Sequence, residues 1–124
     1  MLAYLLIGFG GALGAMARAL MGSMLPATVF INFPLRIIAV NILGCFAMGF
    51  IIELLTIYYA SNSNLKIFLT TGFLGGFTTF SSFALEFGQL TTKNFTNLAV
   101  SYVLLSVGLS LIAFFIGAKL ARLI

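Results

Sequence analysis

The charged residues of this chain stand only where helices of membrane-crossing length would end. No Asp, Glu, Lys or Arg occurs before Arg18, between Arg36 and Glu53, between Lys66 and Glu86, or between Lys93 and Lys119. A hydrocarbon core of about 30 Å takes about 20 apolar residues per helical crossing, and a helix satisfies its own backbone there. Four crossings fit, with little chain left over. With 62% hydrophobic and 6% charged residues and a mean hydropathy of +1.23, the sequence lacks the polar surface that a water-soluble domain of its size needs. The fold class that follows is an all-α membrane protein, a single integral membrane domain over residues 1–124 whose environment is the lipid bilayer.

The predicted spans are approximately 2–21, 35–59, 65–89 and 97–118. A turn around Pro26 to Pro34 separates the first two, Ala60-Ser-Asn-Ser-Asn64 is a polar loop, and Thr91-Thr-Lys-Asn-Phe-Thr96 leads into the fourth. The first apolar stretch begins at Met1 and holds no Lys or Arg until Arg18, so it is expected to be a retained helix rather than a cleaved signal.

Composition excludes most enzyme chemistry. There is no His and no Asp, which removes the commonest general base, the commonest metal ligand and most carboxylate dyads. The single cysteine, Cys45, lies in an apolar run and supports neither a disulfide framework nor a thiolate cluster within one chain. The net charge of +4 is spread singly along the chain, without the patch or stripe that binding nucleic acid requires.

Orientation normally follows the Lys/Arg bias of short loops toward the cytoplasm. Lys66, Lys119 and Arg122 fall on the side shared by the N-terminus, the second loop and the C-terminus, and Arg18, Arg36 and Lys93 fall on the other. One reading of this even split is chance, or a buried Arg18 that does not count. The other is dual topology: a chain inserting both ways can pair with an antiparallel copy about a two-fold axis in the membrane plane. Four short helices hardly enclose a pathway, whereas eight do.

Several residues carry chemistry, each with a plainer reading beside it. Gly10 and Gly14, with Gly11 and Ala15 beside them, form a small-residue face suited to close helix packing. Arg18 either snorkels to the interface or draws anions into a vestibule. Asn41 is an amide in apolar surroundings that must find partners in protein or a wet cavity. It serves either as an interhelical hydrogen-bonding group or as a neutral donor to a passing anion. The third span, Thr70-Thr-Gly-Phe-Leu-Gly-Gly-Phe-Thr-Thr-Phe-Ser-Ser-Phe-Ala-Leu-Glu86, combines glycines that weaken a helix with hydroxyls that repair exposed backbone. A break is predicted near Gly75 to Thr79, where freed carbonyls are able to coordinate a hard cation, most simply Na+.

Phe80 and Phe83 share a helix face. Their electropositive ring edges offer an anion favourable C–H dipoles without a full charge, although a Phe pair at this spacing also serves as ordinary packing. Tyr102, Ser106 and Ser110 recur at four-residue steps on the fourth span. That stripe of hydroxyls either solvates an ion or bonds the helix's own carbonyls. Glu53 and Glu86 sit near span ends, where an interfacial role costs little.

Gly75-Gly-Phe-Thr-Thr-Phe-Ser-Ser-Phe83, together with Gly10-Gly-Ala-Leu-Gly-Ala-Met-Ala-Arg18 and Val40-Asn-Ile-Leu-Gly44, resembles the Fluc (CrcB-type) fluoride channel family across three of the four spans. Ser82 departs from the Thr common in that family but keeps the hydroxyl. The resemblance implies a dual-topology homodimer in the bacterial inner membrane, with a broken third helix and two interfacial pores. These pass F− passively and selectively, exporting it from the cytoplasm to relieve fluoride toxicity. It also implies roles: Phe80 and Phe83 as paired pore phenylalanines, Asn41 as the pore-facing amide, Ser81 and Ser82 as pore-side hydroxyls and Arg18 as a vestibule arginine. The backbone carbonyls of Gly75 and Thr78 would hold a structural Na+ at the dimer centre. A small multidrug-type proton-coupled transporter is the alternative, but it needs a membrane-embedded carboxylate that the first span lacks. A helix bundle with a purely assembling role would need no hydroxyl-rich interruption.

Overall fold

A computed structural model describes residues 1–29 and 32–124 of the chain. Helix α1 spans Leu2–Met24, and a two-residue ribbon follows, β1 at Thr28–Val29 paired antiparallel with β2 at Phe33–Pro34. Thr28 lies opposite Pro34 and Val29 opposite Phe33. Residues 30 and 31, part of the expected turn, lie outside the described residues. Helix α2 is Arg36–Tyr58. Short α3, Ser63–Lys66, runs into a π-helical stretch, Ile67–Leu74, and then α4, Gly75–Phe77. Helix α5 covers Phe80–Thr92 and α6 covers Thr96–Arg122.

Among the described residues four segments are long and apolar enough to cross a membrane: Leu2–Met24, Arg36–Tyr58, Ser63–Thr92 and Thr96–Arg122. Helices α1 and α6 run a few residues past the predicted spans. Hydropathy stops at the first polar or charged residue, whereas a helix continues into the interface. In α6, Lys119 and Arg122 occupy the last turn, where cations complement the negative end of the helix dipole.

Glycines set which helices touch. In lipid there is little hydrophobic drive between helices, so close backbone approach and dispersion hold them together. A Cβ on Gly10 would stand 2.7 Å from the Phe68 carbonyl oxygen, and one on Gly14 would overlap the Phe73 carbonyl. Helix α1 therefore lies directly on the π-helical stretch and α4. A second seam joins α2 to α6, where Gly49 faces the Phe114 carbonyl and Gly117 faces the Phe46 carbonyl. The small buried core, Ile38, Phe83, Leu90, Ala99 and Tyr102, sits where α2, α5 and α6 meet. Tyr4, Leu5, Phe9 and Leu20 of α1 are exposed, as lipid-facing side chains of a spanning helix are.

Candidate ion pathway

Between α4 and α5 the backbone is extended at Thr78 (ψ 156°) and Thr79 (φ −151°, ψ 120°). Such a junction inside a membrane exposes peptide groups that need partners, and side chains from two other helices supply them. The Asn41 amide pairs with Thr79 in both directions: Nδ2 donates to the Thr79 carbonyl at 2.9 Å, and Oδ1 accepts from the Thr79 N–H at 2.8 Å. Arg18 Nη1 donates to the Thr78 carbonyl at 3.2 Å. The buried Thr79 hydroxyl caps α5 by accepting from the Ser82 N–H at 3.2 Å. It also joins the Ser81 and Ser82 hydroxyls, at 3.2 and 3.1 Å, in one cluster.

Beside the junction lies a cleft of about 310 Å³ between α2, α5 and α6. Of the residues singled out in the sequence, Asn41, Thr78, Phe80, Phe83, Ser106 and Ser110 line it, whereas Arg18, Gly75, Ser81, Ser82 and Tyr102 do not. Ser106 and Ser110 are buried on the inner face of α6, and the Ser110 Oγ has no hydrogen-bond partner among the described residues. The Phe80 and Phe83 rings stand 5.3 Å apart at 43°. Phe83 is 8% exposed and continues the aromatic ladder onto Tyr102, ring centroids 5.2 Å apart, but Phe80 is 77% exposed on the outside of the single chain.

Tyr102 shares the stripe of Ser106 and Ser110, but its hydroxyl donates to Glu86 Oε2 at 2.6 Å. Glu86 is thus tied to α6 while only partly buried, and borders a smaller cleft of about 170 Å³ that includes Asn32, Gln89 and Lys93. Glu53 is held by Arg122, Nε to Oε1 at 2.7 Å, tying the C-terminal end of α2 to that of α6.

Among the described residues no group of His, Cys, Asp or Glu could hold a metal ion, so a resident cation would take backbone oxygens. The Thr79 N–H that would cap the Gly75 carbonyl in a continuous helix turns to Asn41 instead. That leaves the Gly75 carbonyl without its helical donor. The Thr78 carbonyl accepts from Arg18 and keeps a second lone pair. An all-oxygen set of this kind suits a hard cation.

Sequence reading left three features unused. Cys45 lies one helical turn beyond Asn41 and lines the cleft with it. Thr79 caps α5, a role that the Thr79-x-x-Ser82 spacing signals. Gly49 and Gly117 make the α2–α6 seam.

Four membrane-length helices, with a cleft lined by hydroxyls, an amide and ring edges between α2, α5 and α6, define the class: a multi-pass membrane protein. The chain belongs to the CrcB family, because the model of that family, described as CrcB-like protein, Camphor Resistance (CrcB), matches residues 5–118. It is 40% identical over 120 residues to the fluoride-specific ion channel FluC of Clostridium perfringens strain 13, covering 97% of this chain and 94% of that protein. It is 39% identical over 118 residues to the fluoride-specific ion channel FluC of Rhizobium meliloti, with 95% and 94% covered. The protein of the same name from Solibacter usitatus is 40% identical over 119 residues, with 96% and 98% covered. The resemblance carried by the third-span motif thus extends along nearly the whole chain, and the multidrug-type alternative finds no support in it.

Proposed function

We propose that this protein is a passive, selective fluoride channel of the bacterial inner membrane, assembled from two antiparallel copies of the chain and exporting F− from the cytoplasm. The observation that carries the reading is the cleft beside the Thr78–Thr79 junction, whose lining among the described residues bears no Asp, Glu, Lys or Arg. The relatives' names give the identity of the ion. Fluoride holds its hydration shell strongly, and a fixed cation that stripped it would also trap it. Neutral dipoles replace the water without so deep a well.

In this mechanism the third span acts as a broken helix, and the Asn41 amide, which lines the cleft, holds the interruption open. Ser106 and Ser110 donate from α6, and the ring edges of Phe80 and Phe83 border the dehydrated ion. Ser81 and Ser82, clustered on Thr79, supply hydroxyls at the start of α5. Arg18 orients the Thr78 carbonyl while its charge draws anions toward the junction. A Na+ held by the Gly75 and Thr78 carbonyls of both copies would supply a positive charge at the centre of the assembly. The exposed Phe80 and the open side of the cleft fit an interface covered by a second copy. The even distribution of Lys and Arg fits insertion both ways. Fluoride that crosses the membrane as HF ionises at cytoplasmic pH and accumulates, and the negative-inside potential drives it out through such a channel.

Efflux from reconstituted liposomes tests the reading. Fluoride should leave under a valinomycin-clamped K+ gradient while chloride stays, with no dependence on a proton gradient. Vesicles that hold fluoride as tightly as protein-free ones would overturn it.

A further inference from the structure

The cleft contains a thiol that the mechanism above leaves unused. Cys45 is the chain's single cysteine. It lies on the same face of α2 as Asn41, four residues on, and lines the cleft beside Phe83, Ser106 and Ser110. Ser110 lines the same cleft from α6. The Ser110 Oγ is a buried hydroxyl with no hydrogen-bond partner among the described residues, its residue only 9% exposed. A buried hydroxyl left open costs about 1–3 kcal/mol unless something else occupies it, and a thiol is only a weak donor and acceptor. The Ser110 hydroxyl therefore faces the cleft with unsatisfied hydrogen-bonding capacity beside the Cys45 thiol, and Cys45 lies one helical turn from the Asn41–Thr79 pairing.

We propose that Cys45 and Ser110 form a rung of the anion pathway, in which the S–H and O–H together donate to the passing ion. The proposal rests on the fluoride-channel reading. The seam is tight on the far side of the rung, where Gly49 and Gly117 let the α2 and α6 backbones touch. Added bulk at Cys45 therefore projects into the cleft that the residue lines. Capping the sulfur removes its donor and narrows the passage at one stroke.

Methyl methanethiosulfonate, small and uncharged, is the probe. The Cys45 thiolate attacks its sulfenyl sulfur, a methyl disulfide forms, methanesulfinate leaves with the electron pair of the broken S–S bond, and the thiol proton passes to buffer. The full-length protein in liposomes is treated near pH 9, where a larger share of a thiol is ionised than at neutral pH. Intact-mass measurement counts methylthio groups, and fluoride efflux is compared before and after treatment. The expected result is one group per chain and a fall in flux of at least about tenfold, a barrier rise of roughly 1.4 kcal/mol or more, reversed by dithiothreitol.

Cys45→Ser supplies the control through its ratio of treated to untreated flux, which should stay at one. A folded Cys45→Ser dimer that has lost conduction overturns the rung, because the Ser hydroxyl still donates at that place. Full labelling with undiminished flux overturns the proposal, as does a thiol that stays unlabelled or a reagent effect that persists in Cys45→Ser. Vesicles without fluoride flux before any reagent is added sink the functional reading and the rung with it, a result distinct from labelled vesicles that still conduct.

Discussion

The side chain of Asn41 and the main chain of Thr79 form a reciprocal pair, 2.9 Å in one direction and 2.8 Å in the other, which closes the peptide bonding of α5's entrance from a neighbouring helix. Asn41→Ala leaves both groups of a buried residue open, at about 1–3 kcal/mol for each. The variant should melt at lower temperature in detergent and lose fluoride flux. Asn41→Asp keeps the acceptor for the Thr79 N–H but loses the donor and adds a negative charge facing the cleft. Its flux should fall further than its stability. Wild-type melting and wild-type flux in both variants would refute the bracing role.

How much of this was legible in the sequence differs by element. The spans were, because charge placement and hydropathy are one-dimensional quantities that a bilayer imposes directly. Gly10 and Gly14 were legible as a packing face, but the partner surface on the π-helical stretch was not, since sequence spacing says nothing of what a face meets. Asn41 was legible as a group needing a partner. That its partner is the Thr79 peptide depends on α2 lying beside the junction. The bond between Tyr102 and Glu86 was not legible at all: each looked explicable alone, one as a pathway hydroxyl and the other as an interfacial acid, and only the docking of α5 on α6 joins them.

The two glycine classes should respond with opposite sign. Gly117→Ala drives a Cβ into the Phe46 carbonyl, and Gly49→Ala drives one into the Phe114 carbonyl. Separating the α2 and α6 backbones to relieve this costs about 1–3 kcal/mol. At Gly88 an added Cβ meets nothing within 4 Å among the described residues, and Ala there gains about 1 kcal/mol of helix propensity. Melting curves of the three variants in one detergent should place Gly88→Ala at or above wild type and the other two below it. Equal melting temperatures would mean that the α2–α6 contact is not close.

Phe80 and Phe83 separate conduction from folding. Phe80 is 77% exposed in the single chain, so Phe80→Ile should leave the chain's own packing almost intact. Phe83→Ile forfeits the contact with Tyr102, worth about 0.5–1.5 kcal/mol beyond its area. Both should lower fluoride flux by at least about tenfold while dimers persist on size exclusion, and only Phe83→Ile should melt early. Wild-type flux in both variants would remove ring edges from the mechanism.

Tyr102 and Glu86 lend themselves to a double-mutant cycle. Tyr102→Phe deprives a carboxylate of its hydrogen bond, at about 1.5–3 kcal/mol. If the hydroxyl works through Glu86, the same change in a Glu86→Gln background should cost much less stability and flux. An undiminished loss of flux in that background would show that the hydroxyl meets the ion directly, as the stripe with Ser106 and Ser110 first suggested.

Arg18 spends its guanidinium on the Thr78 carbonyl and is partly buried, so the loops and ends hold Lys66, Lys119 and Arg122 on one side against Arg36 and Lys93 on the other. Arg122 is in turn neutralised by Glu53. A balance this close should tip with a few added charges. Ser61→Lys with Asn64→Lys should fix the second loop in the cytoplasm, and Thr92→Lys with Asn97→Lys should fix the opposite orientation. If the pore is built from antiparallel copies, each double variant expressed alone should be silent in fluoride efflux, and the two expressed together should conduct. A variant that conducts alone, with cysteine-accessibility mapping showing one orientation, would rule out the antiparallel assembly while leaving the Asn41–Thr79 bracing within each chain untouched.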